Sequence, residues 1–385
     1  MECKLSDVCT FRKGKVSVLG LSKKTYISTE NMLPNKGGVT KASSLPAVEM
    51  TQEYRKVDIL VSNIRPYFKK IWQAKYDGGC SNDVLVFQGN QNIDKDFLYY
   101  TLANDEFFAY SMATSKGTKM PRGDKVSIMQ YQVPVFDINT QKKIANVLKV
   151  LDEKIELNTM INNNLGQQAQ AIFKSWFVDF ELTSGVIPSN WKVSQLGSIT
   201  KISTEVFSPV KNPNIEVEHY SIPAYDEKCY PIFETSNDIK SNKYRLTSNS
   251  VMISKLNPNT KRIWRPYCIS KNPICSTEFI VYEAINPLNR DFVYSIIDST
   301  GFSTFLCLHT TGSTNSRQRV TPSITLTYDI VVPDEKTIQA FCSIVSPMYD
   351  TIENNIKENQ KLIKIRDKLL PKLMSGELEV SNIGL

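Results

Sequence analysis

Residues 59–87, ILVSNIRPYFKKIWQAKYDGGCSNDVLVF, recur in altered form at 251–282, VMISKLNPNTKRIWRPYCISKNPICSTEFIVY. Each copy opens on an apolar β-type run, passes through a basic turn containing proline, and reaches Ile-Trp. A Cys-Ser pair, an acidic residue and a second apolar run follow. Downstream, DFLYYTLANDEFF (96–108) matches DFVYSIIDSTGFS (291–303), SKGTKMPRGDKV (115–126) matches TGSTNSRQRV (311–320), and VPVFDINT (133–140) matches VVPDEKT (331–337). An internal repeat constrains a fold more tightly than composition does, because both copies must build the same unit.

Two amide-rich stretches repeat as well. LNTMINNNLGQQAQAIFKSWF (157–177) and ENNIKENQKLIKIRDKLL (353–370) both carry apolar residues three or four apart, the spacing of one helix face. In the first, the expected stripe is Leu157, Ile161, Leu165, Ala169, Ile172 and Trp176. At an offset of 197, Leu151 falls on Met348, Ile155 on Ile352, Asn158 on Asn355, Leu165 on Leu362 and Ile172 on Leu369. These ten residues are the expected packing positions between two helices, roughly 140–177 and 336–376. Each helix would be ~57 Å long at 1.5 Å per residue, which points to helix-on-helix packing. An antiparallel pair follows if the globules sit at opposite ends. Asn158 and Asn355, on the stripe, are read as register-setting amides; Asn162, Asn163, Asn164 and Gln167 are assigned to a solvated face.

The expected fold class is α/β (α+β), with two pseudo-symmetric globules separated by two long antiparallel helices forming a coiled coil. The divisions are residues 1–139, a helix at 140–180, residues 181–335, a helix at 336–378 and a tail at 379–385. A length of 385 residues suffices for this. No apolar run of about 18 residues predicts a membrane span, and the start lacks the apolar core of a signal peptide, so a cytoplasmic protein is expected. Eight cysteines form no C-x-x-C and meet only two histidines, which argues against a metal site.

The net charge of +7 permits a polyanionic partner without demanding one. Residues 1–139 hold 19 basic and 14 acidic side chains, so any nucleic acid must be met by local patches. Two loop pairs supply them. The first is Arg65, Tyr67, Lys69 and Lys70, with its repeat partner Lys255, Asn257, Lys261, Arg262 and, beyond them, Arg265. The second is Lys116, Thr118, Lys119 and Arg122, with Ser313, Thr314, Asn315, Arg317 and Arg319. Cations suit phosphates, and forked or amide donors suit base edges. Trp72, Trp264, Cys80 and Cys275 are read as core.

Chemistry finds no foothold. None of the four Asn-Pro pairs (212, 257, 272, 286) is completed by Pro-aromatic, as an adenine methyltransferase loop requires. No phosphate-cradling glycine loop is present. No catalytic residue, metal or cofactor is expected.

The duplicated layout, with QKKIANVLKVLDEKIELNTMINNNLGQQAQAIFKSWFVDF in the first helix and LLPKLMSGEL at the end of the second, resembles the specificity (S) subunit of Type I restriction–modification systems. The resemblance spans the chain. It implies that the globules are target recognition domains, each reading one half of a bipartite site in double-stranded DNA. It also implies that the helices set the gap and dock two methyltransferase (M) subunits, with restriction (R) subunits joining them. Two rival readings stay open: a coiled-coil protein-interaction scaffold without DNA specificity, and a lone nuclease.

Overall fold

A computed structural model describes residues 2–312 and 318–380. The chain forms two compact units: residues 1–156 with 359–385, and residues 157–358.

In the first unit the strands Cys9–Phe11, Val84–Gly89, Ile59–Ser62 and Ile71–Gln73 form an antiparallel sheet in that order. A second sheet holds Lys15–Ser17, Met50–Tyr54, Gly78–Cys80 and Tyr26–Ile27. The run Ile59–Ser62 is buried throughout, because successive strand residues face opposite layers. Ile59 and Val61 join Leu85, Phe87 and the helix residues Phe97 and Leu102, whereas Leu60 joins Trp72, Val84, Val86 and Cys80. Apolar continuity is thus what a strand covered on both sides requires.

The second unit repeats this. Thr200–Ser203, Phe279–Ala284, Ser250–Ser254 and Ile263–Trp264 make the antiparallel sheet, beside a five-stranded sheet with one parallel pair. Val251 and Ile253 face the helices, while Met252 joins Trp264, Cys275 and Val281. The registers coincide: Leu60 lies opposite Trp72 and Val86, and Met252 opposite Trp264 and Val281. Both tryptophans and both cysteines are buried, as their apolar setting implied. Burial pushes the Cys80 thiol up to about 12.

The long helices are Ile138–Phe177 and Glu335–Ser375, within three residues of the expected limits. Asp137 accepts the amides of Asn139 and Thr140, and Asp334 accepts that of Thr337, so the same acidic position starts both. Gly376 closes the second helix at φ +74°, where glycine carries no penalty.

Each unit takes half of each helix. In the first, Ile144, Ala145 and Leu148 share a core with Leu370, Leu373 and Met374, and Asp152 accepts from Arg366 at 2.7 Å. In the second, Ala169, Phe173 and Phe177 share a core with Ile338, Phe341, Val345 and Tyr349. Asn162 accepts from Asn355 at 2.8 Å and Asn158 donates to Glu358 at 2.7 Å. Rising numbers on one helix meet falling numbers on the other, so both pairs are antiparallel.

The seam differs in part from the expected stripe. Asn158 is 1% exposed, whereas Leu157 and Ile161 are 48% and 37% exposed. Leu151, Ile155, Leu165, Ile172, Met348, Ile352, Leu362 and Leu369 are half-buried. Asn162, assigned to solvent, is half-buried and paired with Asn355; Asn163, Asn164 and Gln167 are exposed. Inward positions follow from Leu148 through Asn158 to Ala169, and amides hold the middle of that path.

Arg265, grouped with the basic turn above, is instead a buried anchor. It bonds Asp291 at 2.8 Å, Asp350 at 2.6 Å and Glu353 at 3.0 Å, tying the sheet to the second long helix. Burial alone would raise the Asp291 carboxyl, but the Arg265 guanidinium holds it below the ordinary value. Removing one partner of such a group strands buried charge at about 3–5 kcal/mol. A lowered carboxylate contributes stability above its unfolded pKa and loses it as pH falls through the folded value. Arg265→Ala should therefore cost about that much in urea unfolding at pH 7. The deficit should shrink as pH falls below the ordinary carboxylate range and through the lowered value at which Asp291 takes a proton; an unchanged deficit there would contradict the assignment.

Candidate nucleic-acid interface

The two basic loops of the first unit meet. Ser62 ends the central strand and bonds the carbonyl of Ile64 through Oγ at 3.1 Å. Ile64 bridges to Arg122, and the Arg65 amide donates to Pro121 O at 2.8 Å. Residues 66–68 form a short turn of helix flanked by left-handed Arg65 and Lys69. This presents Tyr67 and Phe68 outward, with ring centroids 4.7 Å apart.

The second unit builds the same junction from its own loops. Ser254 bonds Leu256 O at 3.0 Å, Leu256 bridges to Arg319, and the Asn257 amide donates to Gln318 O at 2.9 Å. Residues far apart in sequence thus share one surface in each unit. Ser313, Thr314, Asn315 and Arg317 lie outside the described residues.

Most cations on these surfaces are held by the protein. Arg122 pairs with Asp83 at 3.2 Å, and its counterpart Arg319 with Glu278 at 3.1 Å. Lys116 pairs with Asp124, and Lys69 and Lys36 share Asp105 at 2.8 and 3.0 Å. Lys70 donates to Thr29 O at 2.6 Å and lies over the Phe68 ring. Arg262 bonds Asp226 through two nitrogens at 2.6 and 2.9 Å, and Lys261 pairs with Asp298. Thr118 and Lys119 are exposed, and Lys255 is half-buried. Such pairing fixes the cations in place, and the exposed pairs contribute little to stability.

Sequence reasoning passed over the loop at residues 33–38. Its Asn35 and Lys36 amides donate to Phe68 O and Lys69 O at 2.8 and 2.9 Å, and both residues are left-handed. The Pro-Asn-Lys-Gly-Gly run was a visible turn signal, but it has no counterpart in the second half. The acids Asp83, Asp105 and Glu278 were missed because only folding brings them to the loops. Among the described residues no group of three or more His, Cys, Asp or Glu is placed to hold a metal ion. No described helix is long and apolar enough to cross a membrane.

Residues 1–167 match the family described as the Type I restriction modification DNA specificity domain. The Type I restriction enzyme HindI specificity subunit of Haemophilus influenzae is 26% identical, over 92% of this chain and 94% of that protein. The chain is similar to Type I specificity subunits over most of its length. The MjaIX specificity subunit of Methanocaldococcus jannaschii is also 26% identical, over 78% of this chain and 74% of its own length. The crystal structure of a Type I S subunit from M. genitalium shares the fold, with a TM-score of 0.59 and 17% identity over 97% of this chain and 96% of that one. The matched domain and the relatives indicate DNA sequence recognition and favour neither the scaffold nor the nuclease reading.

Asp105 holds two loops at once, through Lys36 and Lys69. Asp105→Ala should loosen both. Limited trypsin digestion should then cut after Lys36 and Lys69 several times faster than in the parent, with cutting elsewhere unchanged. Equal rates at those two bonds would show that the loops are held by their backbone bonds alone.

Proposed function

We propose that this chain reads a split site in double-stranded DNA, one half through each basic junction, on behalf of two adenine-methyltransferase subunits. The supporting observation is the recurrence of one junction. In both units a strand end, a left-handed residue and a second loop are joined by the same backbone bonds, with an arginine–carboxylate pair beside them. The recognition domains are residues 1–139 and 181–335, and the helices serve as spacer and docking surface. Restriction subunits join the methyltransferase core where DNA is cut. The chain itself carries no catalytic group and acts in the cytoplasm.

Arg65, Tyr67, Lys69, Lys70, Lys116, Thr118, Lys119 and Arg122 belong to the first reading surface. Lys255, Asn257, Lys261, Arg262 and Arg319 belong to the second, together with Ser313, Thr314, Asn315 and Arg317. Neutralising phosphates releases counterions, so DNA affinity should fall steeply as salt rises. A shallow salt dependence would favour a protein-binding scaffold.

The purified chain with methyl donor should leave DNA unmodified. Expressed with its cognate methyltransferase, it should direct adenine methylation to a bipartite motif, read by methylome sequencing. Exchanging residues 1–139 for those of another specificity subunit should change one half of that motif. Alteration of both halves would sink the independent-reader scheme.

The spacer role has its own test. Seven residues inserted into each helix, near Asn158 and near Asn355, keep the seam nearly in phase. They add ~10.5 Å at 1.5 Å per residue. With DNA rising ~3.4 Å per base pair, the gap should widen by up to about three base pairs with both half-sites unchanged. A folded, active variant with the original gap would show that the helices do not set it.

A further inference from the structure

Each unit holds one non-glycine residue in the left-handed region at the centre of its junction. Arg65 has φ +51° and Asn257 has φ +50°. They are structural counterparts: each follows the residue bridged to the second loop, and each donates its amide to that loop, at 2.8 and 2.9 Å. Side chains other than glycine are uncommon there, and an arginine has none of the local bonding that eases asparagine into it. A glycine would relieve the strain and keep the backbone bond, so the backbone itself calls for neither side chain.

Among the described residues neither side chain has a hydrogen-bond or ion-pair partner. Every other arginine among the described residues meets a carboxylate; Arg65 meets none. Its Nε is buried without an acceptor, and the Oδ1 of Asn257 is buried without a donor. Unmet hydrogen-bonding capacity of this kind is costly in the free protein, and a rotation that carries the group to an outside partner relieves it. Both side chains are half-buried, so each has an open side. The neighbouring arginines, Arg122 and Arg319, are already anchored by Asp83 and Glu278. This sets each of the two heads apart from the anchored arginine beside it.

The chemistry of the two heads differs in a way that DNA can distinguish. An arginine fork fits O6 and N7 of guanine, and an asparagine amide fits N6 and N7 of adenine, both in the major groove. We propose that Arg65 selects a guanine in the first half-site and Asn257 an adenine in the second. This rests on the DNA-reading function proposed above.

The test uses the chain assembled with its cognate methyltransferase subunits, with the variants Arg65→Gly and Asn257→Gly, since glycine suits the left-handed backbone. Methylome sequencing of Arg65→Gly should show one guanine of the first half-site replaced by any base, and the second half intact. Asn257→Gly should loosen one adenine of the second half-site alone. An unaltered motif, or a change confined to the opposite half, overturns the assignment. Where a variant no longer methylates, its assembled complex is titrated with duplexes carrying each base at that position. The parent should prefer its base by roughly 10- to 100-fold, and the variant should show no preference; a retained preference overturns the proposal. A parent complex with no split motif at all would instead defeat the DNA-reading function on which this rests.

Discussion

Each unit depends on a core completed by helix segments from distant parts of the chain. Leu370, Leu373 and Met374 lie in one apolar cluster with Phe97, Leu102, Ile144 and Leu148, more than half the sequence away. Phe173 and Phe177 likewise join Phe292, Phe341 and Val345. Burying a large apolar side chain is worth about 1.5–3 kcal/mol, so withdrawing the distal helix end would expose a substantial share of the first core. The repeat in sequence is therefore not the folding unit. A fragment ending near residue 180 would contain one full copy and lack Leu373.

The middle of each helix pair is thinner. Between Leu148 and Ala169 the one fully buried side chain on the first helix is Asn158, and its neighbours on the seam are half-buried. Amide and carboxylate bonds, Asn158 to Glu358 and Asn355 to Asn162, occupy places where a coiled coil ordinarily carries leucine. Polar seams give up stability and gain register, because a shifted pairing leaves a donor unmatched. Register here also fixes which helix turn meets each sheet. Arg265 reaches Asp350 and Glu353 only if the second helix stands at its observed rotation.

The repeat, the helix limits, the buried tryptophans and the pairing of loops were legible in the sequence, because each leaves a periodic or duplicated trace. The inward face was less legible: Leu157 and Ile161 obey helical spacing as well as Asn158 does, and apolar character favoured the wrong neighbour. Ion pairing was hidden altogether. Arg265 sits among basic turn residues in sequence, yet the fold surrounds it with three acids from two other elements. Its counterpart in the first unit, Gln73, bonds Asp96, which also takes Lys149, while Lys75 pairs with Glu156. The same sheet-to-helix anchorage is met with different chemistry in the two copies.

That contrast bears on how a duplicated fold acquires two specificities. The junction backbone is fixed by main-chain bonds, from Arg65 N to Pro121 O and from Asn257 N to Gln318 O, which any residue except proline supplies. The serine hydroxyls at Ser62 and Ser254 brace the same turn. Because the frame needs no particular side chain at the central position, that side chain is free to differ between copies without disturbing the sheet beneath. Arg122 and Arg319, by contrast, are tied to their carboxylates, so replacing either would alter the frame as well as the charge. A side chain can thus vary without disturbing the frame at the few positions where the backbone, and not the side chain, makes the structural bond.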